Sequence, residues 1–269
     1  MAIVIRRMIW MLPLMAWSGI VVSAPPAKAL AEYREAASRF SSLVVEAEAG
    51  KKVSQLRSPE FEKLVEVLSD EKMMLASAAT PEDDIEVDLE ICGIANRVVM
   101  SLATFDLREN VAKAEDQREI LSDFNAMMTR NILMFQDELK TLQPFLIRCL
   151  AKAVPGVNRF LTSLDPEQLT DVRRRGAVKM REGSLMTYRG AFAATNDTIL
   201  AEDYRRAMLS VLAETAEAYA SIMPLPERRK IAETAGSAAL SGDDRYQAYL
   251  VSIERAFRSE ECTTICKIE

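Results

Sequence analysis

Residues 111–149 read VAKAEDQREILSDFNAMMTRNILMFQDELKTLQPFLIRC and carry the strongest periodic pattern in the chain. Positions at alternating spacings of three and four residues are mostly apolar there, namely Val111, Ala114, Leu121, Met128, Ile132, Phe135, Leu139, Leu142, Leu146 and Cys149. This heptad pattern predicts one long helix over about residues 106–153. Pro144 should kink it near residue 140, because a proline ring opposes the carbonyl four residues earlier. We expect a core helix of a bundle, and the alternative is a projecting hairpin or an oligomer seam.

The remainder of the chain shows the same helical spacing of apolar residues. Among 269 residues only 9 are Gly and 6% are aromatic, whereas Ala, Leu, Glu, Met and Arg are abundant. This composition favours helix over sheet, because strands are enriched in β-branched and aromatic residues. The sequence therefore predicts an all-α, multi-helix bundle.

The chain contains no His. This excludes Ser–His–Asp and Cys–His catalysis, the two-histidine zinc motif of metalloproteases and His-ligated haem. Any general acid–base chemistry would need carboxylates, Lys, Tyr or Cys.

The first 29 residues resemble a leader rather than part of the fold. Arg6 and Arg7 precede an apolar stretch, residues 8–22, and a small-x-small site follows at Ala27-Lys28-Ala29. This order is typical of a secretory signal peptide, so we expect residues 1–29 to be removed. The alternative is an uncleaved anchor, although the apolar stretch is short for a spanning helix of about 20 residues. We therefore expect a periplasmic or secreted protein without a stable membrane span after cleavage.

The net charge of the chain is −6. Removal of the leader would take away three basic residues and no acidic residue, which leaves a net charge of −9. An acidic chain is poorly suited to non-specific nucleic-acid binding, which needs a positive face against the phosphates. We therefore expect no nucleic-acid partner.

Four Cys residues in an exported chain favour two structural disulfides. Cys92 and Cys149 each lie on the apolar face of a predicted helix, which favours a bridge between those helices, and Cys262 and Cys266 would close a local loop. The rival pairing ties the C-terminal segment to both helices. The spacing of Cys262 and Cys266 is not the CxxC redox spacing, and we expect neither a metal site nor a cofactor.

Pro155-Gly156 marks the best internal boundary. It divides the expected mature chain into an N-terminal helical half, residues 30–154, a linker, residues 155–164, and a C-terminal helical half, residues 165–269. Each half then contains two Cys residues. The alternative is that the two halves form one continuous domain.

Small residues recur every seven positions in the predicted helix over about residues 165–195. The pairs are Gly176-Ala177, Gly183-Ser184 and Gly190-Ala191. A Gly in a helix interior costs roughly 1 kcal/mol relative to Ala, so the repeat is notable. The pattern favours tight packing against a neighbouring helix of the same chain, and the alternative is a groove for a ligand or a partner helix.

The same segment is strongly basic. Its cations are Arg173, Arg174, Arg175, Lys179, Arg181 and Arg189. Arg174, Arg181 and Tyr188 follow one line along the helix. In an acidic protein they form a candidate dock for an anionic group, such as a lipid head group, a glycan carboxylate or the acidic face of a partner protein.

We therefore expect an exported binding or structural protein of the cell envelope, which docks an anionic ligand or an envelope protein through residues 173–192. The ligand- or partner-binding residues would be Arg174, Arg181, Tyr188, Gly176, Gly183 and Gly190, none of them catalytic, and an oligomer is compatible with the heptad pattern. The alternative is a His-free all-α enzyme that acts on a small anionic substrate or a glycan with Arg side chains and a carboxylate. A closed pocket with converging Arg and carboxylate groups would favour the enzyme, and an open face the binding protein.

Overall fold

The structure, a computed structural model, describes residues 27–73, 85–106, 117–241, 244–259 and 262–268. These residues form ten α-helices, a short 3-10 helix at Val53–Arg57, and no strand. The prediction of an all-α bundle is confirmed. The helices are α1 (Ala27–Gly50), α2 (Pro59–Leu68), α3 (Ile85–Ala103), α4 (Gln117–Met134), α5 (Gln136–Ser163), α6 (Asp171–Ala194), α7 (Glu202–Ile222), α8 (Leu225–Ser241), α9 (Asp244–Arg258) and α10 (Thr264–Lys267).

Local sequence signals set two of the helix starts. The Ser58 side chain accepts a hydrogen bond from the backbone N–H of Phe61, and Pro59 occupies the first position of α2. Thr170 caps α6 in the same way by accepting from the N–H of Arg173. Such caps satisfy backbone donors that have no partner inside the helix.

The heptad segment is divided between two helices rather than forming one. The break lies at Phe135, whose backbone (φ −111°, ψ 21°) leaves helical geometry, and Pro144 lies inside α5. Phe135 is fully buried against Phe105, with ring centroids 5.4 Å apart. Buried Asn131 donates hydrogen bonds to the carbonyls of Ala103 and Phe105. The break therefore forms where α4 and α5 meet the end of α3, a tertiary contact that the heptad spacing does not reveal. Residues 107–116 of the predicted helix lie outside the described residues.

Residues 155–163, expected to be a linker, are instead the last part of α5. Val157 and Leu161 from this part are buried in the same core as residues from both predicted halves. No loop therefore separates residues 30–154 from residues 165–269.

The core is one hydrophobic cluster centred on α5. This helix packs against α3 and α7, α7 packs against α6 and α9, α8 covers α9, and α1 lies against α2 and α3. The Cys92–Cys149 disulfide joins α3 to α5, with Cα atoms 5.5 Å apart, and the Cys262–Cys266 disulfide closes the short α10 segment. The structure thus contains the pairing that the sequence favoured, not the rival one.

The predicted leader falls largely outside the described residues, which begin at Ala27 in α1. Of the helices that the structure does describe, none combines the length and the apolar character needed to cross a membrane.

Candidate functional site

All six predicted binding residues lie on α6, and the structure assigns them to different surfaces. One side of α6, here called the inner face, is buried in the core and consists of Ala177, Ser184, Leu185, Tyr188, Ala191 and Phe192. The opposite side, here called the outer face, consists of Val172, Arg175, Lys179, Gly183, Met186 and Gly190. The predicted line of Arg174, Arg181 and Tyr188 runs from the exposed first turn of α6 into the core.

Tyr188 belongs to the core. Its side chain is fully buried, its hydroxyl donates to the Leu212 carbonyl at 3.0 Å, and its ring lies 4.6 Å from that of Tyr219 and 5.3 Å from that of Phe257. Burial raises the pKa of the Tyr188 hydroxyl well above its usual value, with the neighbouring Tyr219 adding to this. The prediction that Tyr188 contacts a ligand or a partner is therefore wrong for this arrangement, because a fully buried ring offers no surface.

Arg181 holds the C-terminal segment. Its Nη1 atom donates to the carbonyls of Ile265, Cys266 and Ile268 at 3.2, 3.0 and 2.8 Å. These carbonyls follow or end α10, where a helix leaves acceptors without a partner. The Arg181 guanidinium at this position donates to these carbonyls, and its positive charge interacts favourably with the negative end of the helix dipole. Arg181 therefore stabilises the disulfide-closed segment and is not available for docking.

Arg174 is exposed, as predicted, and its Nε donates to the Leu169 carbonyl at 3.3 Å. Arg175 and Lys179 are also exposed, and within the described ranges neither has an acidic partner. Arg189 forms an ion pair with Glu227 of α8. The unneutralised cations of α6 among the described residues therefore concentrate in its first three turns.

The charge of this helix end is unfavourable for helix stability. Backbone N–H groups give a helix N-terminus a partial positive charge, so three arginines in the first turns oppose the helix dipole. One acid, Asp171, lies in the first turn. Arg173 is held by the turn before α6, because it donates to the Gln168 carbonyl at 2.6 Å. The dipole and the arginines both place positive charge at this end of α6.

Two of the three glycines of the repeat, Gly183 and Gly190, do not pack closely against another helix of the described chain. A Cβ atom built on Gly183 or on Gly190 would meet nothing within 4 Å, and Gly190 is exposed. The second member of each pair, Ala177, Ser184 or Ala191, is the buried one. The favoured expectation of tight internal packing is therefore not met at Gly183 and Gly190, which open to space beside exposed Met186.

An open groove between α1 and α3, missed by the sequence reasoning, has a volume of about 220 Å³ and brings Arg34, Arg97 and Glu90 together. Arg34 binds Glu90 through two hydrogen bonds of 2.6 Å. Since the groove is open and both oxygens of this carboxylate are occupied, it is not the closed pocket expected of the alternative enzyme. The sequence signal that could have found it is the set of small residues Ala37, Ser38 and Ser41 on one side of α1, which leaves room between two helices.

Within the described residues, no group of three or more Cys, Asp or Glu side chains is arranged to hold a metal ion. No protein family, characterised protein or solved structure matches the chain.

Proposed function

We propose that this chain is an exported helical binding protein of the cell envelope, and that the outer face of α6 docks the acidic face of a partner protein. The observation that carries the proposal is that the fold makes no use of this face. Among the residues that the structure describes, no acid lies against exposed Arg175 or Lys179, and Gly183 and Gly190 open to space.

Apolar exposure on the same face supports a protein partner over a small ion. Val172 and Met186 are each 57% exposed, and they lie on the same side of α6 as the two glycines. Clustered apolar and cationic groups are typical of interfaces, in which apolar contacts supply affinity and charges guide the approach. The absence of a Cβ atom at Gly183 and Gly190 allows a partner backbone to come close.

Charge complementarity also supports the proposal. The chain as a whole is acidic, with a net charge of −6, whereas the first turns of α6 are basic. A local positive surface on a negative protein directs an acidic partner to one place and repels it elsewhere. The two disulfides and the leader-like sequence support an oxidising compartment outside the cytoplasm.

The docking test uses a photo-cross-linking amino acid in place of Met186, in the full chain expressed in its native host. We expect a cross-linked adduct that a double substitution, Arg175→Glu with Lys179→Glu, reduces by about tenfold. The matched control is Arg229→Glu with Lys230→Glu, which makes the same charge change at two exposed cations of α8. An adduct that survives the α6 change, or that disappears equally in the α8 control, contradicts docking at this face.

Export is tested separately by the intact mass of the native protein with and without reductant. Loss of residues 1–29 and a mass increase of four hydrogens on reduction are the expected results. A full-length chain with four free thiols would contradict the proposed compartment, whatever the cross-linking shows.

A further inference from the structure

The two disulfides differ in how far solvent can reach them. Cys92 and Cys149 are buried, with 2% and 3% of their surface exposed, whereas Cys262 and Cys266 are both only partly buried. A disulfide is reduced when a thiolate attacks one of its sulfur atoms, so access is one of the factors that set the rate. A reductant in solution should therefore reach the Cys262–Cys266 bond before the Cys92–Cys149 bond.

The two bonds also differ in what they connect. The Cys92–Cys149 bond joins α3 to α5 across 57 residues, whereas the Cys262–Cys266 bond joins two positions only four residues apart in one segment. A cross-link between distant positions restricts the unfolded chain more than the closure of a short loop does. The stability of the whole fold should therefore depend on the first bond, and the shape of the C-terminal segment on the second.

The C-terminal segment, residues 262–268, is held on the bundle by the turn that its disulfide closes. The backbone N–H and the hydroxyl of Thr263 donate to the Ser221 carbonyl at 3.0 and 2.9 Å. The carbonyls of Ile265, Cys266 and Ile268 converge on a single nitrogen of Arg181. They can converge in this way only while the turn keeps its shape. Reduction of the Cys262–Cys266 bond removes the covalent link across this turn.

No ion pair would keep the opened segment on α6. Among the residues that the structure describes, the Arg181 guanidinium donates to these three carbonyls, and no carboxylate pairs with it. Hydrogen bonds between a guanidinium and a carboxylate are stronger because both groups are charged. Water can replace neutral carbonyls around a partly exposed guanidinium, so these contacts should be lost when the turn opens.

We propose that the Cys262–Cys266 bond is a site of reversible exchange with a dithiol, and that its reduction releases the C-terminal segment from Arg181. A thiolate of the dithiol attacks one sulfur atom of the bond, and the other sulfur leaves as a thiolate and takes up a proton. The second thiol of the reagent then breaks the mixed disulfide, which frees the remaining cysteine as a thiol. Two electrons and two protons thus pass to the protein, and the dithiol becomes a disulfide.

This inference goes beyond partner docking and does not depend on it. Arg181 lies on the side of α6 that meets the C-terminal segment, whereas the proposed docking surface is the outer face. Cross-linking from position 186 and exchange at Cys262–Cys266 can therefore succeed or fail separately.

The test exposes the full disulfide-bonded protein to dithiothreitol, and aliquots are quenched with excess iodoacetamide and mapped by peptide mass. We expect Cys262 and Cys266 to be labelled at least about tenfold faster than Cys92 and Cys149, which serve as the internal control. At the stage when only the first pair is reduced, amide hydrogen exchange in residues 262–268 should rise about tenfold, while α3 and α5 stay protected. Oxidised dithiothreitol in excess should restore both the bond and the protection.

A double variant, Cys262→Ser with Cys266→Ser, tests the release without any reductant. It should show the same rise in exchange over residues 262–268 and an unchanged helical circular dichroism signal.

Four results would overturn the proposal. These are equal labelling of all four cysteines, a reduced segment as protected as the oxidised one, failure of the bond to re-form, and native protein in which Cys262 and Cys266 are not bonded to each other. The first three are measured on the wild-type chain, so they decide the matter even if the double variant does not fold.

Discussion

The inner and outer faces of α6 share one helix and one seven-residue repeat, yet only the inner face is used by the fold. On the inner face, Tyr188 is fully buried and hydrogen-bonded, and beside it Arg181 binds three carbonyls of the C-terminal segment. On the outer face, a Cβ atom added to Gly183 or Gly190 would meet nothing within 4 Å, and Lys179 has no acid within the described ranges. The difference teaches that the glycines of a conspicuous repeat can lie on the side of a helix that the described chain does not pack against.

The largest effect is expected from Tyr188→Ala on the inner face. The change removes a buried ring that contacts Tyr219 and Phe257 and leaves a cavity, so the free energy of unfolding should fall by about 4 kcal/mol. Chemical denaturation followed by circular dichroism measures it. Met186→Ala, on the outer face of the same helix, is the matched control and should change stability by less than about 0.5 kcal/mol. A loss below about 1.5 kcal/mol for Tyr188→Ala would contradict the buried position.

A smaller loss of folding stability is expected when a substitution of Arg181 frees the C-terminal segment from α6. Arg181→Gln removes the guanidinium that donates to the carbonyls of Ile265, Cys266 and Ile268, which should cost about 2 kcal/mol. Amide hydrogen exchange should rise in residues 262–268 while α6 itself stays protected. Arg174→Gln tests the other end of the predicted line, and its exposed side chain should change stability by less than about 0.5 kcal/mol. Equal effects of the two substitutions would mean that Arg181 does not hold the C-terminal segment as described.

The all-α class and the disulfide pairs could be predicted from sequence, because helical periodicity and Cys positions depend on local spacing. The orientation of α6 could not be predicted. Arg174, Arg181 and Tyr188 share a line, but only the packing of α7, α9 and α10 determines that Tyr188 meets Leu212 and Arg181 meets Ile265. The break at Phe135 has the same origin, since it depends on contacts with the end of α3 that no heptad encodes.

Alkaline pH should act through buried tyrosines, and Tyr188 is the one on the inner face of α6. Burial raises the pKa of the Tyr188 hydroxyl well above 10 in the folded protein, whereas it is about 10 in the unfolded chain. The folded state therefore holds this proton more tightly, and its contribution is complete below pH 10 and is lost as the pH rises above 10. Tyr188 should contribute a slope of about −1.4 kcal/mol per pH unit to the free energy of unfolding.

The comparison of wild type with Tyr188→Phe isolates this slope. Denaturation at pH 9, 10.5 and 11 should show a shallower alkaline decline in the variant, although it has lost the hydrogen bond to Leu212, worth about 1 kcal/mol at neutral pH. Parallel pH profiles for the two proteins would mean that the Tyr188 hydroxyl ionises without unfolding.

The smallest effect on stability is expected on the outer face, where substitutions should raise the free energy of unfolding rather than lower it. Gly183→Ala and Gly190→Ala each add a methyl group where nothing lies within 4 Å, so the gain in helix propensity should stabilise the protein by about 0.5–1 kcal/mol per site. Gly236→Ala is the matched control in α8, where a Cβ atom would lie 2.8 Å from an oxygen of Glu254; this carboxylate would have to shift from its contact with Arg258, so the gain should be smaller. The measurement is the free energy of unfolding of the three variants.

The same two alanines separate stability from docking. If a partner backbone approaches the outer face at Gly183 and Gly190, the stabilised double variant should lose the cross-link from position 186, because added methyl groups hold the partner away. A double variant that is more stable and keeps the full adduct would mean that the cations of α6 dock the partner without the glycines. A variant that is destabilised would mean that these positions are packed rather than open. Only a variant that is more stable and forms less adduct supports the view that Gly183 and Gly190 serve a partner. In that case the two glycines lower the stability of the helix, and no contact within the chain itself makes up for this loss.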